Sequence, residues 1–141
     1  MLGRVVYSYY VLDIVHRGHR LQMRNAKKIA GEDGISIVGI LTKEAVLEKK
    51  DKKPILSFDE RIGLAQDIQY NDVVIPQTEY SPIKNIQNLK PDIVLESESH
   101  NKDDIKKVVD LVESYGGKVQ IMPYYPYQSS TKIKNEVREQ N

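Results

Sequence analysis

The sequence predicts an α/β fold: a single Rossmann-like, doubly wound domain over residues 1–141, with about five parallel strands flanked by helices. Five short β-branched runs recur along the chain, at 4–9, 35–41, 72–75, 92–95 and 118–122. Each is nearly continuous in apolar residues instead of alternating, as suits strands covered on both faces in a parallel sheet. The stretches between them have helical periodicity, and strands separated by such stretches build βαβ units. A length of 141 residues fits one domain with a core of its own.

In chain order, the first strand leads into Asp13-Ile14-Val15-His16-Arg17-Gly18-His19 and then a helix from about Arg17 to Ala30, stopped by Gly31. The helix at 58–69 opens on Ser57 with Glu60 three places on, a capping box that satisfies two orphan amides reciprocally. The clearest helix, at 102–115, places Ile105, Val108, Val109 and Val112 on one stripe. Asn101 caps it, Asp103 and Asp104 favour its positive dipole end, and Gly116-Gly117 close it. A last helix begins near Ser129 or Ser130 and frays into a polar end at 136–141.

Composition narrows the chemistry. The chain has no cysteine, which excludes disulfides, thiolate metal sites and a thiol nucleophile. Lysine plus arginine number 21 against 20 acidic residues, so no global field favours nucleic acid as a partner. The apolar run near the amino terminus is too short for a signal-peptide core or a membrane span, so a cytoplasmic protein without a membrane partner is expected.

The loop after the first strand is where ligands gather in open α/β sheets, and a helix amino terminus there offers free amides and a positive dipole end to phosphate. His16 and His19, three apart, project to the same side and can donate hydrogen bonds as charge builds on phosphoryl oxygens. Gly18 lets a phosphate approach the backbone. A plain strand-to-helix turn is the competing account. Metal ligation by the pair is not expected, since His100 is the only other histidine and no cysteine exists.

The segment from Val5 to His19 resembles the cytidylyltransferase family, whose signature is G-x-F-D-x-x-H-x-G-H. The likeness continues through Val38 to Ala45, Lys52 to Arg61, Asp72 to Gln77 and Ser129-Ser130-Thr131-Lys132-Ile133-Lys134, in the family's order and spacing. By pattern the chain is similar to members acting on glycerol phosphate and, slightly more, to those of phosphonate biosynthesis. The resemblance implies transfer of CMP from CTP, accompanied by Mg²⁺, to a small anionic phosphorylated or phosphonylated acceptor, with release of pyrophosphate. It also implies a homodimer across the first helices.

Carried over residue by residue, the resemblance makes His16, His19 and Lys52 catalytic. Val11, Leu12, Asp13 and Gly18 then form the nucleotide loop, Lys50 and Lys53 lie toward phosphates, and Arg61 matches a family arginine in the first turn of its helix, counted with the nucleotide-binding residues. Glu98 stands in the family's G-D-D-W region, near base or sugar. Tyr124, Gln128, Ser129, Ser130 and Thr131 hold the nucleotide from the last loop and helix. Bland accounts stand beside these: a solvated loop for the lysines, capping for the serines and threonine, and loop packing for the tyrosines at 124–127. Tyr10 replaces the signature's glycine, and Tyr124-Tyr125-Pro126-Tyr127 replaces its R-T-E-G, losing an arginine. An adenylyltransferase on the same scaffold and a non-catalytic nucleotide-binding module are the rival functions.

Overall fold

A computed structural model describes residues 3–123 and 130–140, without the side chains of 130–132. Its centre is one five-stranded, all-parallel sheet in the order β3-β2-β1-β4-β5. The strands are β1 (Val5–Tyr10), β2 (Ile35–Leu41), β3 (Val73–Gln77), β4 (Ile93–Ser97) and β5 (Lys118–Met122). The helices are α1 (Arg17–Ala30), α2 (Lys43–Leu47), α3 (Phe58–Asp67), α4 (Ile83–Leu89), α5 (Lys102–Ser114) and α6 (Ser130–Gln140). This is the α/β Rossmann-like architecture expected from the apolar runs.

The caps act as the sequence indicates. Ser57 Oγ accepts from the Glu60 amide, and Asn101 Oδ1 accepts from the amides of Asp103 and Asp104. Two helices were not expected, α2 with 5 residues and α4 with 7. Both are too short for periodicity to show, and α4 starts on Pro82 without a side-chain cap. The strand expected at 72–75 runs instead to Gln77 through Pro76, which an edge strand tolerates because its missing amide is not needed inside the ladder.

One face of the sheet packs Val6, Leu95 and Met122 against Ala26 and Ala30 of α1. On the same side, Leu12, Val38 and Ile40 meet Met23 and Ala65 of α3. The opposite face sets Tyr7, Ile37 and Val94 against Ile86 of α4 and Val108 and Val112 of α5. Tyr7 reaches from β1 across β2 to the edge: its hydroxyl donates to Gln77 Oε1 at 2.6 Å and accepts from Asn85 Nδ2 at 3.0 Å. Gly39 makes that crossing possible, since a Cβ there would lie 2.0 Å from the Tyr7 hydroxyl.

The sheet reverses its winding between β1 and β4, the place where open α/β sheets leave a crevice beyond their strand ends. Backbone pairing there stops early: β1 pairs with β2 from Val5 to Tyr10, but with β4 only at Val6 and Tyr7. The carboxyl ends of β1 and β4 thus lose their ladder where a ligand would enter.

Candidate active site

His16 is the N-cap of α1, and its Nδ1 accepts from the Gly18 amide at 3.1 Å. In return the His16 amide donates to His19 Nδ1 at 3.2 Å, so two imidazoles play the parts a serine and a glutamate usually take in a capping box. The rings lie 3.9 Å apart, and Tyr10 stands edge-on to His19 at 6.0 Å. Burial pushes the His16 pKa down; burial and then the neighbouring His16 take His19 to about 3. Both rings are therefore neutral at pH 7. A neutral ring whose Nδ1 accepts must carry its proton on Nε2, so each offers one Nε2–H donor. His16 also borders a hollow of about 560 Å³ with Arg17, Arg20 and Arg24.

The loop before the helix is held from three directions. Leu12 is 1% exposed and adopts φ 60°, an uncommon left-handed conformation for a branched residue, and such strain persists only where the surroundings enforce it. Asp13, buried, accepts from the amides of Ile55 at 2.9 Å and Leu56 at 2.8 Å and pairs with Lys134 of α6. Burial alone would raise its pKa, but the Leu56 amide, Lys134 and the Ile55 amide together bring it below the usual carboxylate range. Arg61 is 0% exposed; Nη1 donates to the carbonyls of Val11 at 2.8 Å and Leu41 at 2.6 Å, and Nε to that of Leu56 at 3.2 Å. It ties the ends of β1 and β2 to the entry of α3.

Lys50, Lys52 and Lys53 are exposed on the segment between α2 and α3, whose far end is the Ile55-Leu56 pair held by Asp13. Gly18 is buried under the turn, and Val11 is half-buried at the crevice. Glu98 is exposed, and its amide donates to the Met122 carbonyl at 3.2 Å. Tyr124, Gln128 and Ser129 lie outside the described residues, as do the side chains of Ser130 and Thr131. Sequence reasoning assigned no role to Lys134, although it closes the serine-threonine motif; its tie to Asp13 depends on where α6 docks.

A second group was also missed. Glu96 is 2% exposed at the end of β4. Its Oε1 and Oε2 accept from the Tyr9 hydroxyl at 2.6 and 2.8 Å, and His100 Nδ1 lies 2.6 Å from Oε2. Burial, then the adjacent carboxylate, drive the Tyr9 pKa up. Tyr9, Glu96 and His100 line a hollow of about 780 Å³ between the strand ends and α2, α4 and α5, bordered also by Tyr10, Val11 and Lys50. The one available signal was an acidic residue following the apolar run of the fourth strand.

A parallel sheet with its crevice at the β1/β4 reversal, and a histidine pair at a helix amino terminus beside that crevice, define an α/β scaffold of the kind on which phosphate-bearing ligands bind. The chain belongs to the cytidylyltransferase-like family, whose profile matches residues 11–136, and the family is one of nucleotidyltransferases. The bifunctional protein HldE of Trichlorobacter lovleyi is 30% identical over 137 residues, covering 96% of this chain and 27% of that protein. The HldE of Helicobacter pylori is 34% identical over 103 residues, 72% of this chain and 22% of the relative. The chain thus spans about a quarter of the length of the curated relatives it matches. Among solved structures, a lipopolysaccharide core biosynthesis protein from Thermoplasma volcanium superposes with TM-score 0.70 at 23% identity, over 89% of this chain and 99% of that one. A macrolide-efflux protein from Streptococcus pneumoniae does so with TM-score 0.63 at 20% identity, over 96% and 51%. At these identities the structures show a shared fold. No helix among the described residues is long and apolar enough to cross a membrane.

Proposed function

We propose that this chain transfers CMP from CTP to a small phosphorylated or phosphonylated acceptor and releases pyrophosphate. The observation that carries the proposal is the paired histidine turn: two neutral rings held by their Nδ1 atoms, each with an Nε2–H left to donate at a helix amino terminus. An acceptor oxygen attacks the α-phosphorus in line, the bond to the bridging oxygen breaks, and pyrophosphate carries away the electron pair. The two Nε2–H donors meet the charge that builds on the phosphoryl oxygens, where fixed donors do most for the rate. No imidazole has to lose a proton, so the pair acts by electrostatic stabilisation. Lys52, with Lys50 and Lys53, supplies cations that can follow the triphosphate, while Asp13 and Arg61 hold the frame.

Among the described residues no three His, Asp or Glu side chains converge to hold a metal, and both Asp13 oxygens are engaged by amides and Lys134. Mg²⁺ in this site would therefore be held chiefly by the triphosphate and would offset its charge. A homodimer across α1 is part of the same proposal, and light scattering of the purified chain tests it.

Adenylyl transfer from ATP is the second reading. The HldE relatives support a nucleotidyltransferase and are consistent with either nucleotide. The deciding experiment is pyrophosphate release from each of four nucleoside triphosphates with glycerol phosphate, a sugar phosphate, ethanolamine phosphate, inositol phosphate, 2-hydroxyethylphosphonate and 2-aminoethylphosphonate. CTP-dependent release supports the proposal and ATP-dependent release the alternative. A chain that binds nucleotide but releases no pyrophosphate, whichever acceptor is supplied, is a non-catalytic module.

A further inference from the structure

We infer that Tyr9, Glu96 and His100 form a hydroxyl-reading unit that selects the acceptor, making it a polyol or sugar phosphate in preference to an aminoalkyl phosphate or phosphonate. The inference rests on the nucleotidyl-transfer reading above. The unit stands in the wall of the 780 Å³ hollow at the β1/β4 reversal, a volume ordinary for a small-molecule site. Tyr10 and Val11, which lead straight into the histidine turn, border the same hollow. An acceptor whose phosphate lies at that turn therefore has this space for the rest of its body, and Lys50 and Lys107 line it as cations.

The chemistry of the unit follows from which atoms are already taken. A carboxylate buried to 2% exposure needs partners, and Glu96 has them in the Tyr9 hydroxyl and His100 Nδ1. An ionised carboxylate only accepts, so the phenol proton and the Nδ1 proton both point at it. The carboxylate consequently stays behind the tyrosine and the imidazole, with 1% of its side chain exposed against 36% for His100. With Nδ1 taken, the nitrogen that this half-exposed ring leaves for a ligand in the hollow is Nε2.

A hydroxyl serves that atom in either protonation state of the ring, because it can donate to a bare Nε2 or accept from Nε2–H. An ammonium only donates: it suits one state, is repelled by the other, and is kept from the Glu96 oxygens by the ring. The other carboxylates of the wall, Glu48 and Asp104, are exposed, and Glu48 already accepts from the Tyr80 amide at 3.2 Å. Tyr9 stacks on the His100 ring with centroids 5.5 Å apart, so ring, phenol and carboxylate hold one another in place before a ligand arrives.

The test uses the purified full chain in two stages. Thermal shift with CTP–Mg²⁺ and ATP–Mg²⁺ first establishes which nucleotide binds; pyrophosphate release with that nucleotide then compares glycerol phosphate and a hexose phosphate with ethanolamine phosphate and 2-aminoethylphosphonate. The hydroxyl-bearing acceptors are expected to have kcat/KM about two- to tenfold higher, the worth of one neutral hydrogen bond. His100→Ala should raise their KM by the same factor of about two to ten with kcat and the nucleotide shift nearly unchanged, and His100→Gln should recover part of the loss. Glu96→Gln, which acts through the ring and the phenol that the carboxylate holds, should raise the same KM by a smaller factor. An aminoalkyl preference in the parent chain, an unchanged KM in His100→Ala, or a nucleotide shift with no turnover of any hydroxyl-bearing acceptor overturns the inference alone. Absence of a shift with either nucleotide overturns the transfer reading, and the inference falls with it.

Discussion

The histidine turn closes over sequence separations of two and three residues, from Gly18 to His16 and from His16 to His19. The carboxylate crevice joins Tyr9 to Glu96 over 87 residues and to His100 over 91. Both stand at the carboxyl end of the same strand, yet they depend on different things. The turn needs only a helix that begins at Arg17, and its hydrogen bonds are those any capped helix makes. The crevice needs β1 and β4 to lie side by side in one register, because a slip of one residue would turn Tyr9 and Glu96 to opposite faces. A substitution that loosens the sheet should damage the crevice and spare the turn.

The largest effect is expected at Arg61, which supports both regions. Arg61→Met strips the buried carbonyl of Leu41 and the part-buried carbonyls of Val11 and Leu56 of their donor, and at about 1–3 kcal/mol for an unsatisfied buried group the total should reach about 3 kcal/mol. Urea denaturation measures it, and a loss under about 1 kcal/mol would mean that those carbonyls find water. Next comes the turn: His19→Ala should lower turnover about a hundredfold. His16→Asn separates the two duties of its residue, since asparagine caps well but has no Nε2–H at that reach. It should keep the melting temperature of the parent and still lose about a hundredfold in turnover; equal turnover in parent and variant would reduce His16 to a cap.

Gly39→Ala tests the crevice from below. The new methyl meets the Tyr7 hydroxyl and must push the ring off Gln77 and Asn85, at about 1–3 kcal/mol for an overpacked core. Chemical shifts of Tyr9 and His100 should move while those of His16 and His19 stay; equal movement in both pairs would erase the contrast between the regions.

The remaining effect is the pH dependence of stability. In the unfolded chain histidine takes up a proton near its ordinary pKa of about 6.5, whereas folded His19 resists protonation until about pH 3. Between those values the unfolded state binds more protons, so stability falls as pH falls through that window and levels off below it. Asp13 adds to the loss at the acid end, because its lowered pKa gives stability that is present above the ordinary carboxylate range and disappears as pH drops through the folded value. Urea midpoints from pH 7 to 4 should decline in the parent and decline less in His19→Asn. Parallel lines for the two proteins would show that His19 is not held neutral by the fold.

The legible parts were those whose physics is local. Caps at Ser57 and Asn101 could be read because a cap and its amide are two or three residues apart. The apolar runs announced buried parallel strands, and the His-x-Gly-His segment announced the turn that opens α1. The helices α2 and α4 stayed hidden because one or two turns carry no periodic signal, and α4 has no cap to mark its start. Arg61 could be noticed as an arginine in the first turn of a helix, but not as a buried donor to three carbonyls from separate segments.

The sequence by itself determined the alternation of strands and helices, the polar ends of the helices and the position of the histidine turn, because side-chain period and capping act over a few residues. Only the tertiary structure decided that β1 lies between β2 and β4, that Gly39 leaves room for Tyr7, that Lys134 meets Asp13, and that Glu96 is covered by Tyr9 and His100. Those contacts join residues tens of positions apart, and nothing in their immediate neighbours specifies the partner; the sheet supplies it by placing distant strand ends within hydrogen-bonding reach.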